Sequence, residues 1–222
     1  MVSVVVFDLD DTLYPEADFV QSGLTTVGEW CEKELGIRGF ADIAWRLFRG
    51  GRRGDIFDAA FSHLEISPAR ETISRMVAVY RGHLPQIALP SDSVWCIQQL
   101  RERWKLGLIT DGPSEMQWNK IRALQLEPLF DAIIVTADLG EGLSKPHPRA
   151  FTDMEERLCA TGAGLLYIAD NPAKDFVAPR ERQWRTIRIV RPEGLYRGMP
   201  VAVAAEFSVA DLSSIPRIVA DL

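Results

Sequence analysis

Cysteine is scarce in this chain: Cys31, Cys96 and Cys159 are the only three among 222 residues. They are widely spaced and form no CxxC pair, which suggests neither a disulfide-stapled framework nor a thiolate zinc site and fits buried or half-buried thiols in a reducing compartment. Long apolar runs are also missing. The N-terminal run is stopped by Asp8 and has no basic segment before it, so it is far short of a signal sequence or a membrane span. A cytoplasmic protein is expected. Positive charge is in the minority, with 25 Lys and Arg against 31 Asp and Glu and a formal net charge of -6. That balance speaks against nucleic acid or an anionic membrane as partner and for small molecules instead. Internal repeats and low-complexity tracts are absent too, so neither a solenoid nor a linker-rich array is expected.

What is present is globular material, 47% hydrophobic and 25% charged, enough for one core with a smaller second domain. It is organised around Val2 to Leu13, VSVVVFDLDDTL. Val2 to Phe7 is a short β-branched run of the kind buried on both faces of a parallel sheet. Asp8, Asp10 and Asp11 follow where that strand ends, the place where open α/β sheets bind ligands. Asp8 and Asp10 stand two residues apart, so on a continuing strand both side chains leave the same face. Two carboxylates that close repel unless a cation or a shared proton neutralises them. A hard divalent ion such as Mg2+ answers this with oxygen ligands and spare waters for phosphate oxygens. The plain alternative is that Asp10, Asp11 and Thr12 only cap a helix or make a turn.

Strand, DxDxT and Leu13 together resemble the first motif of the haloacid dehalogenase superfamily. The resemblance implies that Asp8 is the nucleophile toward phosphorus and Asp10 the general acid/base. The chemistry stands on its own, since a carboxylate nucleophile divides one difficult displacement into two easier ones.

After Leu13 the pattern turns helical. Asp18 to Leu35, with Phe19, Val20, Leu24, Val27, Trp30, Cys31 and Leu35 at helical spacing and Gly36 as a stop, is followed by helices over Phe40 to Phe48, Asp55 to Leu64 and Ala69 to Tyr80. The resemblance implies that this insertion, residues 14–90, is a helical cap that closes over the active site and selects substrate. Residues 1–13 and 91–222 are then the α/β catalytic core. Arg49, Arg52 and Arg53, in RGGRRG, are the cap's one basic Gly-rich cluster and are candidates to grip a second anionic group of the substrate. The alternative is a solvated turn.

From Asp92 a helix with Val94, Ile97 and Leu100 leads to a strand at Leu106 to Thr110 that ends in Thr110, Asp111 and Gly112. This looks like the second motif, a Ser or Thr that donates to a phosphoryl oxygen, with Asp111 and Gly112 as further substrate-binding positions. Pro113 to Leu126 reads as a helix with Met116, Ile121 and Leu124 inward, and Phe130 to Thr136 as a third strand. Lys145 before Pro146 matches the third motif, a lysine that neutralises the phosphoryl group and the nucleophile. A helix over Pro148 to Ala160 and a strand at Leu165 to Ala169 lead to Asp170 and Asp175. These resemble the fourth motif, which supplies further metal ligands, with Ala169 where Gly usually stands. Asp175 is expected to ligate directly, through water, or to orient Lys145. A strand at Thr186 to Val190, a short one near Phe207 and a last helix from Ser213 to Ala220 complete a doubly wound, mostly parallel α/β sheet.

The resemblance and the chemistry thus imply a Mg2+-dependent phosphomonoester hydrolase acting on a small phosphorylated metabolite through an aspartyl-phosphate. The metal would be held by Asp8, the Asp10 backbone carbonyl and Asp170. A phosphomutase of the same fold and a non-catalytic phosphate- or metal-binding module are the alternatives. Carbon-halogen hydrolysis fits less well, because it has no use for Asp10.

Overall fold

The structure is a computed structural model that describes residues 1–201 and 203–222. It divides into two compact units, one made of Met1–Glu16 with Ala88–Leu222, the other of Ala17–Ile87.

The larger unit is built on six parallel strands: β1 (Val4–Phe7), β2 (Lys105–Thr110), β3 (Ala132–Val135), β4 (Leu165–Ala169), β5 (Arg185–Ile189) and β6 (Phe207–Val209). Their order is β3-β2-β1-β4-β5-β6. Chain order runs outward in one direction from β1 through β2 to β3 and in the other from β4 to β6, so the reversal lies between β1 and β4. An open α/β sheet has its ligand crevice beyond the carboxyl ends of the strands at such a point. All four β1 residues are buried, and each such side chain contributes about 1.5–3 kcal/mol by leaving water. Val4 and Val6 share one face and join a core of Ile109, Phe151, Met154, Tyr167, Phe176 and Trp184. Gly107 lets β2 approach this layer, since a Cβ there would stand 2.7 Å from Met154 Sδ.

Helices α5 (Ser91–Leu100), α6 (Ser114–Ala123), α7 (Arg149–Leu158), α8 (Val177–Glu181) and α9 (Ile215–Asp221) belong to the same unit. In α5 the inward stripe is Ser93, Cys96, Ile97 and Leu100, and Val94, expected inside, is 38% exposed. Ser93 takes the inner position because its hydroxyl donates to the Leu13 carbonyl at 2.6 Å.

The smaller unit is helical, with α1 (Glu16–Leu35), α2 (Phe40–Arg49), α3 (Ile56–His63) and α4 (Arg70–Gly82). Phe19, Val20, Leu24, Val27 and Cys31 form the buried stripe of α1, while Leu35, expected inside, is exposed in its last turn. Gly36 has φ 69°, and the amide of Ile37 returns to the Cys31 carbonyl at 3.1 Å, a left-handed stop that only glycine accepts without strain. The interior is aromatic: Phe40 lies 5.1 Å from Phe61, and Phe19 meets Tyr80 edge-on at 5.6 Å between ring centroids. No helix among the described residues is long and apolar enough to cross a membrane.

Candidate active site

Asp8 is the first residue past β1, and its amide donates to the Ile168 carbonyl at 2.9 Å, so the sheet itself fixes its backbone. Its carboxylate is buried, with Oδ1 2.5 Å from Lys145 Nζ and Oδ2 accepting from the Thr12 hydroxyl at 3.4 Å. Burial pushes Asp8 up to about 7, with Lys145 opposing and Asp175 adding to the rise. Lys145 Nζ also contacts Asp175 Oδ1 at 2.8 Å and donates to the Tyr167 hydroxyl at 3.0 Å. Burial works against its charge, but Asp175 and Asp8 outweigh it and hold the ammonium well above its usual range.

Asp170 follows β4 and is buried beside this pair. Asp8, Asp170 and Asp175 each offer an oxygen within 4.8 Å of the others. Asp170 Oδ2 is buried without a hydrogen-bond partner among the described residues. Burial first, then the charges of Asp8, Asp175 and Asp11, push Asp170 up to about 9. Three buried carboxylates share one ammonium here, and such a set is stable as a group of anions only with another cation. An all-oxygen donor set with one unpartnered buried oxygen fits a hard divalent ion. Asp175 is also tied to its own loop, with Oδ2 accepting from the Asn171 amide at 3.0 Å, so it orients Lys145 as well as adding charge.

Asp10 lies apart from this group. Lys120 Nζ reaches its two oxygens at 2.8 and 2.9 Å, the Tyr14 hydroxyl donates to Oδ1 at 2.5 Å, and Gln117 Nε2 donates to Oδ2 at 3.0 Å. Burial alone would raise this carboxyl, but the Lys120 charge and these three donors hold it below the usual range. Gln117 Nε2 also donates to Thr110 Oγ1 at 2.5 Å. A hydroxyl oxygen that accepts there keeps its own proton to donate elsewhere. Gly112, at φ 139°, turns the chain after β2, and a Cβ on it would crowd the Gln117 side chain at 3.1–3.2 Å.

Asp11 adopts φ 54°, a left-handed conformation that Asp tolerates. Its oxygens accept from the amides of Glu16 at 2.8 Å and Leu195 at 2.7 Å, which pins the turn that presents Asp8 and Asp10. The Asp111 carboxylate is used inside the protein, by the Thr136 hydroxyl at 2.8 Å, the Lys145 amide at 3.1 Å and Lys174 Nζ at 2.6 Å. It fixes the Lys145 loop from the end of β2.

Asp8, Lys145, Asp170 and Asp175 are therefore brought together, with Thr110 linked to Asp10 through Gln117. In the helical unit Arg52 is clamped bidentately to Asp55 at 2.6 and 2.9 Å. The Arg53 guanidinium lies 3.9 Å over the Phe48 ring and donates to the Phe48 carbonyl at 2.7 Å, and Arg49 lies 5.9 Å over Trp45. Arg52 and Arg53 are thus engaged within their own turn. Sequence reasoning missed Lys120, Gln117, Tyr14 and Tyr167. Gln117 and Lys120 stand three residues apart on α6 and so share a face, a signal that the apolar reading of that helix hid.

The family model of haloacid dehalogenase-like hydrolases matches residues 5–189. The chain belongs to this family. A glyceraldehyde 3-phosphate phosphatase of Methanocaldococcus jannaschii is 28% identical to it, over 100% of this chain and 99% of the relative. Two solved structures share the fold: the magnesium-bound HAD-hydrolase YfnB of Bacillus subtilis, with TM-score 0.67, 19% identity and 98% of each chain covered, and the L-2-haloacid dehalogenase of Xanthobacter autotrophicus, with TM-score 0.65, 20% identity and 100% of each covered. The family is one of hydrolases, and the matched residues span β1 to β5.

Proposed function

We propose that this hydrolase cleaves phosphomonoesters of small metabolites through an aspartyl-phosphate on Asp8. The observation that carries the reading is the division of labour between two carboxylates two residues apart: Asp8 sits against Lys145 in an acidic nest, while Asp10 is held separately by Lys120, Gln117 and Tyr14. A nucleophile and an acid/base must not be ligated alike, and here they are not.

In the first half-reaction an Asp8 oxygen bonds to phosphorus as the ester P–O bond breaks, and the leaving oxygen takes a proton that the Asp10 carboxyl, ionised against Lys120 in the free protein, takes up from solvent when the ester binds. In the second, Asp10 accepts a proton from the water that attacks phosphorus, the acyl phosphate P–O bond breaks, and Asp8 is restored. An alcohol and inorganic phosphate leave. Lys145 and the Thr110 hydroxyl are placed to neutralise the phosphoryl oxygens, the fixed positive field on which phosphoryl transfer mostly depends. Asp8 and Asp170, with Asp175 beside them and the Asp10 backbone carbonyl, would hold Mg2+, which when bound supplies further neutralisation of the phosphoryl charge. Carbon-halogen hydrolysis gives the clamped Asp10 nothing to do.

The phosphatase named among the relatives makes glyceraldehyde 3-phosphate the first ester to try. Phosphate release is measured with Mg2+ over a panel of sugar, triose and nucleotide monophosphates, for the parent and Asp8→Asn. Turnover of at least one compact ester by the parent and its loss in the variant is expected. An Asp8→Asn protein that works near the parent rate overturns the assignment.

A further inference from the structure

The Asp10 carboxylate is unusual among the acids of this unit in being fully provided for. A carboxylate has about four acceptor positions, and here Oδ1 takes Tyr14 and Lys120 while Oδ2 takes Gln117 and Lys120. Lys120 and Gln117 are buried, and the Asp10 side chain keeps 19% exposure, so it is held from behind and reachable from one edge. The three donors come from two directions, Tyr14 from the β1 loop and Gln117 and Lys120 from one face of α6. Gln117 also grips Thr110, so the group meant to serve the leaving oxygen and the hydroxyl meant to hold the phosphoryl group move as one body. Together these contacts hold the carboxyl's plane and its distance from Asp8.

We propose that Lys120, Gln117 and Tyr14 are positioning residues that aim the Asp10 carboxyl at the leaving-group oxygen, with Lys120 as the principal one. The idea rests on the phosphatase reading above and adds to it residues that none of the four motifs contains. Lys120 straddles both Asp10 oxygens, so one of its contacts is the natural one to yield when the leaving oxygen arrives. None of the three touches the ester.

The test exploits the leaving group. An aryl oxide such as 4-nitrophenolate departs without protonation, whereas an alkoxide needs it, so only alkyl esters depend on where Asp10 points. kcat/KM, which reports formation of the aspartyl-phosphate, is measured for 4-nitrophenyl phosphate and for an alkyl phosphate with parent, Lys120→Met, Lys120→Arg and Tyr14→Phe. Lys120→Met is expected to lose about 100-fold on the alkyl ester and under about 10-fold on the aryl ester, within the usual range for general acid catalysis. Lys120→Arg restores part of the alkyl activity. Tyr14→Phe, which removes a single oxygen, shows the same split at a smaller factor and carries the test if Lys120→Met does not fold. Equal losses on both esters, or no loss, overturn the proposal. Asp8→Asn is assayed alongside: if it is inactive while the split is absent, only the positioning role fails, and if it turns over, the phosphatase reading itself fails.

Discussion

The rim of the sheet and the helical unit bury opposite kinds of side chain. At the rim Asp8, Asp11, Lys120, Lys145, Asp170 and Asp175 are all buried, whereas among the described residues of the helical unit the buried polar side chain is His83, beside Phe19, Phe40, Phe61 and Met76. Taking an ion out of water costs several kcal/mol unless partners restore it. A chain that keeps six of them at one edge and almost none elsewhere has placed its chemistry at that edge. The rim itself is divided again. Around Asp8 three carboxylates share one ammonium, and around Asp10 one carboxylate is met by an ammonium, an amide and a hydroxyl. The first group is short of positive charge and the second is not.

The sharpest way to break that contrast is to remove divalent metal. Chelation is expected to abolish phosphate release and Mg2+ to restore it. A cation held at 100 times its Kd stabilises the fold by about 2.7 kcal/mol, which for a chain of this size is about 5–10 °C in Tm. Scanning calorimetry with and without Mg2+ measures it. A Tm indifferent to Mg2+ would mean that Lys145 alone suffices for the three acids.

Next in size is a pair of substitutions with opposite signs. In metal-free protein near pH 7 Asp170→Asn removes the cost of neutralising a carboxyl that burial and its acidic neighbours push up to about 9. It should raise stability by about 1 kcal/mol. Asp10→Asn instead leaves Lys120 facing a neutral amide in a buried place and should lower stability by about 3 kcal/mol, at the low end for broken buried pairs because Asp10 keeps a solvent-facing edge. With Mg2+ present the Asp170→Asn gain should reverse. Denaturant unfolding of both variants, with and without the ion, reads these differences. Two losses of equal size in metal-free protein would erase the distinction between the groups.

The same contrast explains what could be read from the chain. Each catalytic candidate past a strand was legible because an apolar run such as Val4–Phe7 or Leu165–Ala169 ends abruptly in a polar residue, and burial on both faces makes that change one-dimensional. The four helices between Asp18 and Tyr80 were legible from their period. Lys120 and Gln117 were not. A helix reveals its buried face through apolar residues, and in α6 the face read from Met116, Ile121 and Leu124 is interleaved with buried Gln117 and Lys120, both of which bond to Asp10, more than a hundred positions away. Tyr167 was hidden for a related reason: its ring belongs to the core with Phe151 and Trp184, while its hydroxyl reaches Lys145. The partners of the Asp111 side chain were not legible either, because Thr136 and Lys174 lie 25 and 63 positions further on.

The smallest effect is expected from the arginines of the helical unit, and it bears on the contrast from the other side. If charge performs chemistry only where it is buried, Arg52 should matter little, since its guanidinium is spent on Asp55 in an exposed turn. Exposed pairs of this kind are weak and screened by salt. Arg52→Ala is expected to change kcat/KM by less than about twofold on any ester that the parent hydrolyses. A residue that forked onto a second phosphate or carboxylate of the substrate would behave differently, because losing a charge-assisted bidentate contact removes about 1.5–3 kcal/mol of binding, a rise in KM on the order of tenfold or more. Comparing a bisphosphate with the matching monophosphate separates the cases. A KM rise confined to the bisphosphate would show that the RGGRRG turn leaves Asp55 for the substrate, and the division between a reactive rim and a chemically silent helical unit would then be wrong at that point.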